Sequence, residues 1–168
     1  MKLLMEIKEE HDEVRGIILE IDNQELAEEK KNLFSQLVID MLAHHRAEEE
    51  VAFAALPDEQ EANALKAELV AEHKVIERLF QVILDSGNEG DWDANFQVVK
   101  EVFIHHMHEE EEELFAALRK ARDRGALDAL YTDFETIEHQ AKDAARALLD
   151  SGCILNPGHA LARQAPPQ

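Results

Sequence analysis

Shifted by 62 residues against itself, with no gap, the chain meets its own chemistry. Leu3, Glu6, Glu10, His11, Phe34, His44, Glu48, Glu49, Glu50 and Phe53 fall on Leu65, Glu68, Glu72, His73, Phe96, His106, Glu110, Glu111, Glu112 and Phe115. The Ala-Ala-Leu after each Phe matches as well. Self-similarity at one fixed offset marks a duplicated supersecondary unit, and it constrains the architecture before any single residue does. Each copy carries a histidine and, 33 residues on, a His-x3-Glu: His11 then His44/Glu48, and His73 then His106/Glu110.

The unit that repeats is a helical hairpin. Apolar residues recur at helical spacing along Leu4, Ile7, Val14, Ile18 and Ile21, and again along Leu33, Leu37, Met41, Val51 and Ala55. A third stripe runs through Leu65, Leu69, Ile76, Phe80 and Ile83, and a fourth through Phe96, Val99, Phe103, Leu114 and Ala117. Turn-forming stretches separate them: "IDNQ" near residue 22, "LPDE" at Pro57, "SGNEGDW" from Ser86 to Trp92, and "RDRGAL" around Gly125. Short connections between amphipathic helices imply antiparallel neighbours. The expected fold is all-α: an up-down-up-down antiparallel four-helix bundle built from two repeated hairpins. A fifth, C-terminal helix from Leu127 to Leu149 packs outside the four. Residues 1–150 are expected to form this one domain, and 151–168 a disordered, turn-rich tail.

Composition narrows the partners. With 37 acidic and 17 basic residues the formal net charge is −20, which repels nucleic acid and anionic lipid and favours cations. The single cysteine, Cys153, excludes an internal disulfide framework and fits a reducing compartment. No signal peptide and no membrane-spanning run is expected, so the reading is a soluble, cytoplasmic protein without nucleic-acid or membrane partners.

Positions i and i+4 share a helix face, so His44 points with Glu48, and His106 with Glu110. The stripes fix that direction as inward. His11 lies between Ile7 and Val14, His44 between Met41 and Val51, His73 between Leu69 and Ile76, and His106 between Phe103 and Leu114. Two carboxylates placed in a bundle core are costly without a compensating charge, and no lysine or arginine lies on these stripes at the same level. A metal cluster meets that need: imidazole and carboxylate suit iron, manganese or zinc. The Glu-x-x-His pattern of ferritin-like di-iron bundles is absent, since no histidine has a glutamate three residues before it.

The helix-one pattern "EEHDEVRGIILEI", its echo "AEHKVIERLFQVI" and the two His-x3-Glu-Glu blocks ending in Phe-Ala-Ala-Leu resemble the hemerythrin-like, or HHE cation-binding, family over roughly residues 3 to 120. The resemblance implies His11, His44, Glu48, His73, His106 and Glu110 as ligands of a non-haem di-iron centre. Its two iron ions would be bridged by Glu48, Glu110 and an oxo or hydroxo group. It further implies a small partner: oxygen, nitric oxide or peroxide, which the centre binds, senses or reacts with.

Four further residues extend or compete for the set. Glu77 stands one turn after His73, where respiratory hemerythrins have a histidine; it is a seventh ligand or a solvent-facing partner of a residue such as Arg15, its repeat mate. Glu111 is an alternative to Glu110. His45 flanks His44 and could replace it, although its own repeat mate is Met107. His139 is a surface residue or an extra ligand from the fifth helix. His105 and His108 are expected at the surface or edge, and the run from Glu109 to Glu113 is read as a solvated face with Glu110 alone inward.

Carriage is not implied, and neither is turnover; peroxide or nitric oxide chemistry is the enzymatic alternative. Two other classes stay open: an iron-responsive or iron-holding binding module, and a structural bundle with zinc or no metal.

Overall fold

The apolar stripes become helices and the turn-forming stretches become their ends. In the computed structural model, which describes residues 1–155, the helices are α1 (Lys2–Asn23), α2 (Ala27–Ala47), α3 (Gln60–Leu84), α4 (Glu89–Glu109), α5 (Phe115–Ala121) and α6 (Arg124–Asp150). There is no strand among the described residues. The starts of α4 and α6 are capped in the ordinary way. The side chain of Asn88 accepts from the Asp91 N–H, and that of Asp123 from the Ala126 N–H, satisfying donors that a first helical turn leaves open.

Two segments depart from plain α-helix, and they are repeat mates. α2 runs into a wide turn over Glu48–Ala52, and α4 into another over Glu110–Leu114. Each is closed by an i→i+5 bond: the Phe53 N–H donates to the Glu48 carbonyl at 2.8 Å, and the Phe115 N–H to the Glu110 carbonyl. The sequence stripes treated both helices as continuous, and the burial pattern shows why they are not. His44, Glu48, Ala52 and Leu56 are all buried, as are His106, Glu110, Leu114 and Leu118. A strict spacing of four drifts about 40° per step on a 3.6-residue helix. One extra residue in the turn takes up that drift, so Glu48 and Glu110 stay on the inward face while the Phe-Ala-Ala-Leu that follows still packs.

α3 packs on α4, α1 on α2, and α6 lies along α1, α2 and the first wide turn. α6 contributes Leu127, Phe134 and Ala145 to the buried interior. Beyond it, Ser151 to Leu155 turn back onto α3: Ile154 is buried, its N–H donates to Gln81, and the Gln81 amide donates to the Gly152 carbonyl. Gly152 adopts a φ of 76°, a left-handed conformation that a Cβ disfavours and that serves to reverse the chain after a helix. Residues 156–168 of the expected tail lie outside the described residues.

The core is in two pieces. One gathers Leu3, Ile7, Leu69, Leu114, Leu118 and Phe134 among others; the second gathers Val14, Phe34, Ile76, Phe80, Phe96 and Phe103 among others. A polar layer separates them, and every one of the four paired histidines sits at that layer. His11 falls between Ile7 of the first piece and Val14 of the second, and His73 between Leu69 and Ile76. No helix among the described residues is long and apolar enough to cross a membrane.

Candidate metal centre

The polar layer holds His11, His44, Glu48, His73, His106 and Glu110, none of them more than 2% exposed. α1 delivers His11, α2 delivers His44 and the first wide turn opens on Glu48; α3, α4 and the second wide turn deliver His73, His106 and Glu110 in the same order. Their inward atoms form two overlapping groups, His11/His44/Glu48/Glu110 and His73/His106/Glu48/Glu110, each lying within 4.8 Å. The glutamates are common to both. Glu48 presents Oε1 to His44 Nε2 at 3.3 Å and Oε2 to His73 Nε2 at 3.5 Å, one oxygen to each half of the repeat. Glu110 also reaches both halves, with Oε2 3.3 Å from His11 Nε2 and 3.4 Å from His106 Nε2, and Oε1 3.6 Å from His73 Nε2.

This geometry fits metal. Donors bound to one ion at about 2.0 to 2.2 Å stand roughly 3 to 3.5 Å from each other, which is the separation seen here, including 3.2 Å between the Nε2 atoms of His11 and His44. Both oxygens of Glu48, both of Glu110, and the Nε2 atoms of His73 and His106 are buried with no hydrogen-bond partner. Nitrogen and oxygen atoms left together without partners in a core suit a metal site. Among the described residues no lysine or arginine is buried with them.

The layer's charges act on one another. Burial works against charge on His44, Glu48, His73 and Glu110. Yet Glu48 and then Glu10 lift the His44 pKa well above its ordinary range, and Glu110, Glu48 and Glu49 lift that of His73. The histidines in turn hold Glu48 well below, and Glu110 below, the usual carboxylate range.

Around the cluster stands a second ring. The Nδ1 N–H of His106 donates to Glu72 at 2.7 Å, that of His73 to Glu49 at 2.9 Å, that of His11 to Glu111 at 3.0 Å, and that of His44 to Glu10. An ionised carboxylate only accepts, so each pairing fixes the tautomer and leaves Nε2 free to face inward. The pattern obeys the repeat: Glu10/His44 maps on Glu72/His106, and Glu49/His73 on Glu111/His11.

Glu111 corrects the sequence reading, which gave it as part of a solvated face or as an alternative to Glu110. Glu111 does not replace Glu110; it sits behind His11, tied by Arg15 at 2.7 Å and by Lys8 at 3.6 Å. The signal was present, because all four acids are identical between repeats, but an acid one residue from an inward position reads as surface by hydrophobic pattern alone.

His45 needs a second correction. Expected as a flanking residue, it is 1% exposed and turned into the layer beside His73 and His106, while His44 keeps its place. Burial, then His73 and His106, push its pKa well down, so the ring is neutral. Glu77 is not paired with Arg15, which is engaged with Asp12 and Glu111; it lies 3.7 Å from His45 Nδ1 and belongs to neither of the groups around Glu48 and Glu110. His139 is exposed and belongs to none of the grouped residues. His105 and His108 are each 64% exposed; His105 stands near Glu109 and Glu72 on the outside.

The match to known families follows the same residues. A family model described as the hemerythrin HHE cation binding domain covers residues 3–118, which takes in both copies of the repeat and all six inward ligand candidates. The chain belongs to this family. Family and geometry agree on a helical bundle whose buried His/Glu groups suit a metal site. α6 lies beyond the matched span and is this chain's addition to it. No curated protein and no solved structure matches the chain.

Proposed function

We propose that this hemerythrin-family domain holds two iron ions and uses them to bind, sense or react with oxygen, nitric oxide or peroxide. His11 and His44 serve one ion and His73 and His106 the other, with Glu48 and Glu110 bridging, in an up-down-up-down bundle spanning residues 1–150 and working in the cytoplasm. The observation that carries this reading is that two orphaned carboxylates are shared between two buried pairs of imidazoles, with no lysine or arginine buried beside them among the described residues.

Bound iron would supply Lewis-acid and one-electron chemistry toward a small ligand. The chain's own part is positioning and exclusion. Glu10, Glu49, Glu72 and Glu111 hold the imidazoles in one tautomer and one orientation, so the donors are set before any ion arrives. The two apolar pieces of the core close over the layer from either side, with Phe103 and Met41 one turn from the ligand histidines and Phe134 of α6 edge-on to His44 at 6.1 Å between ring centres. Water is kept out and charge inside the layer is strongly felt.

A second reading, an iron-holding or iron-responsive module, is favoured by the same orphaned atoms, because a fold that buries them depends on its metal for stability. One experiment separates the two: purify the protein anaerobically, count iron per chain, then record visible spectra after oxygen, azide, nitric oxide or peroxide. Two irons with ligand-dependent bands are expected. Iron that raises stability but gives no ligand band favours the holding module, and absence of any transition metal overturns both.

A further inference from the structure

α6 closes one flank of the bundle, and the flank that matches it in the repeat is open. On α2, Lys142 of α6 reaches Asp40 at 3.7 Å, and Ala43 and Ala47, one and two turns further along that face, are fully buried. Shifted by 62 residues, the same two positions on α4 are His105 and Glu109. There the side chains meet water: His105 is 64% exposed and Glu109 is 25% exposed.

One turn apart on α4, His105 and Glu109 project to one spot, with His105 Nε2 3.4 Å from Glu109 Oε1. A third donor comes from α3. Glu72 gives Oε2 to the His106 N–H at 2.7 Å, which leaves its other oxygen uncommitted. Donor atoms of Glu72, His105 and Glu109 lie within 4.8 Å of one another. Among the described residues neither carboxylate has a lysine or arginine partner, and Oε2 of Glu109 is buried with no hydrogen-bond partner at all. Two carboxylates brought together in this way repel each other unless a proton or a cation stands between them. The imidazole beside them makes the trio a chelating set.

We propose that Glu72, His105 and Glu109 form an outer, solvent-facing site for a divalent transition-metal cation, which collects ions for the buried layer. One imidazole and two carboxylates suit manganese, iron(II), cobalt or zinc. The exposure of His105 leaves the remaining positions to water, so the ion is held loosely and exchanges. The collecting role rests on the reading of the layer as a two-metal centre. Glu72 links the two sites, since the carboxylate that serves the outer ion also orients His106 within. The first hairpin offers no equivalent: alanines replace two of the donors, and Phe134 of α6 lies against His44.

The test uses the whole chain, stripped of metal and titrated with cobalt(II), with calorimetry counting every ion and the visible spectrum following those in the buried layer. Wild type should take up two tightly held ions and then one weaker ion. His105→Ala and Glu109→Gln should each lose the weak ion and keep the two tight ones. In stopped-flow mixing their buried ions should arrive about 10-fold more slowly, because the local concentration of cations falls. His108→Ala is the control: it removes an equally exposed histidine, 3.6 Å from Glu112, whose pair has no third donor grouped with it, and it should match wild type. A weak ion that His105→Ala binds as wild type does would overturn the site. Loss of that ion with uptake at the wild-type rate would overturn the collecting role. A wild-type chain that binds only the weak, His105-dependent ion would overturn the buried two-metal centre and leave the outer site standing.

Discussion

In the first half of the molecule Glu10 holds His44, and Glu49 reaches out to His73 of the second; in the second half Glu72 holds His106, and Glu111 reaches back to His11. Each hairpin therefore supplies an orienting carboxylate to the other's histidine, besides one of the two shared glutamates. Neither copy completes a site alone. The halves then diverge where exchange of this kind is not required: His45 against Met107, Glu77 against Arg15, and α6 lying mainly along the first hairpin. What stays identical is what builds the centre, and what differs decides how the two sides of it are unlike.

The harshest way to break the equivalence is to remove what the halves share. Glu48→Gln takes a ligand oxygen from both groups at once, and is expected to cost both metals, measured as metal per chain after dialysis against a weak chelator. One-sided changes should divide the centre: His44→Ala and His106→Ala should each leave a single tightly held ion, distinguishable by the spectra of cobalt-loaded protein. Outer-ring changes are milder. Glu10→Gln and Glu72→Gln should each weaken one ion by about 10- to 100-fold, read in the same titration. Unequal losses in these two variants would measure how far α6 shields the first half.

The smallest effect is on pH dependence, and its sign follows from the layer's protons. In the metal-free chain the His44 and His73 pKa values lie well above their ordinary 6.5, so their contribution to stability is complete below that value and is lost as pH rises through the folded-state values. Glu48 and Glu110, held low, add stability above the usual carboxylate range and lose it as pH falls through their depressed values. Melting curves should therefore show the metal-free chain weakening above neutrality. The rise in Tm on metal addition should grow with pH, because metal displaces those protons.

Much of this was legible in the sequence, for identifiable reasons. Burial recurs with helical period along every helix, so the helices and the inward direction of six ligand candidates could be read from spacing. The ungapped repeat picked those six from a chain rich in acids. It did not foresee how deeply His45 is buried, because His45 is where the copies differ. It was under-used at Glu10, Glu49, Glu72 and Glu111, which are identical between copies but lie one residue from an inward position, where a hydrophobic stripe sees only surface. The wide turns after Glu48 and Glu110 escaped because a four-residue burial spacing resembles an α-helix over one step and departs from it only over three.

The central claim is that Glu48 and Glu110 are shared by two metals, and exchange coupling tests it most directly. In iron-loaded, fully oxidised protein, total iron is counted chemically and unpaired spin by electron paramagnetic resonance on the same sample. Two irons per chain with almost no ferric signal are predicted, since bridged ferric ions pair their spins. One iron per chain, or a ferric signal that accounts for all the iron, would contradict the shared-carboxylate centre.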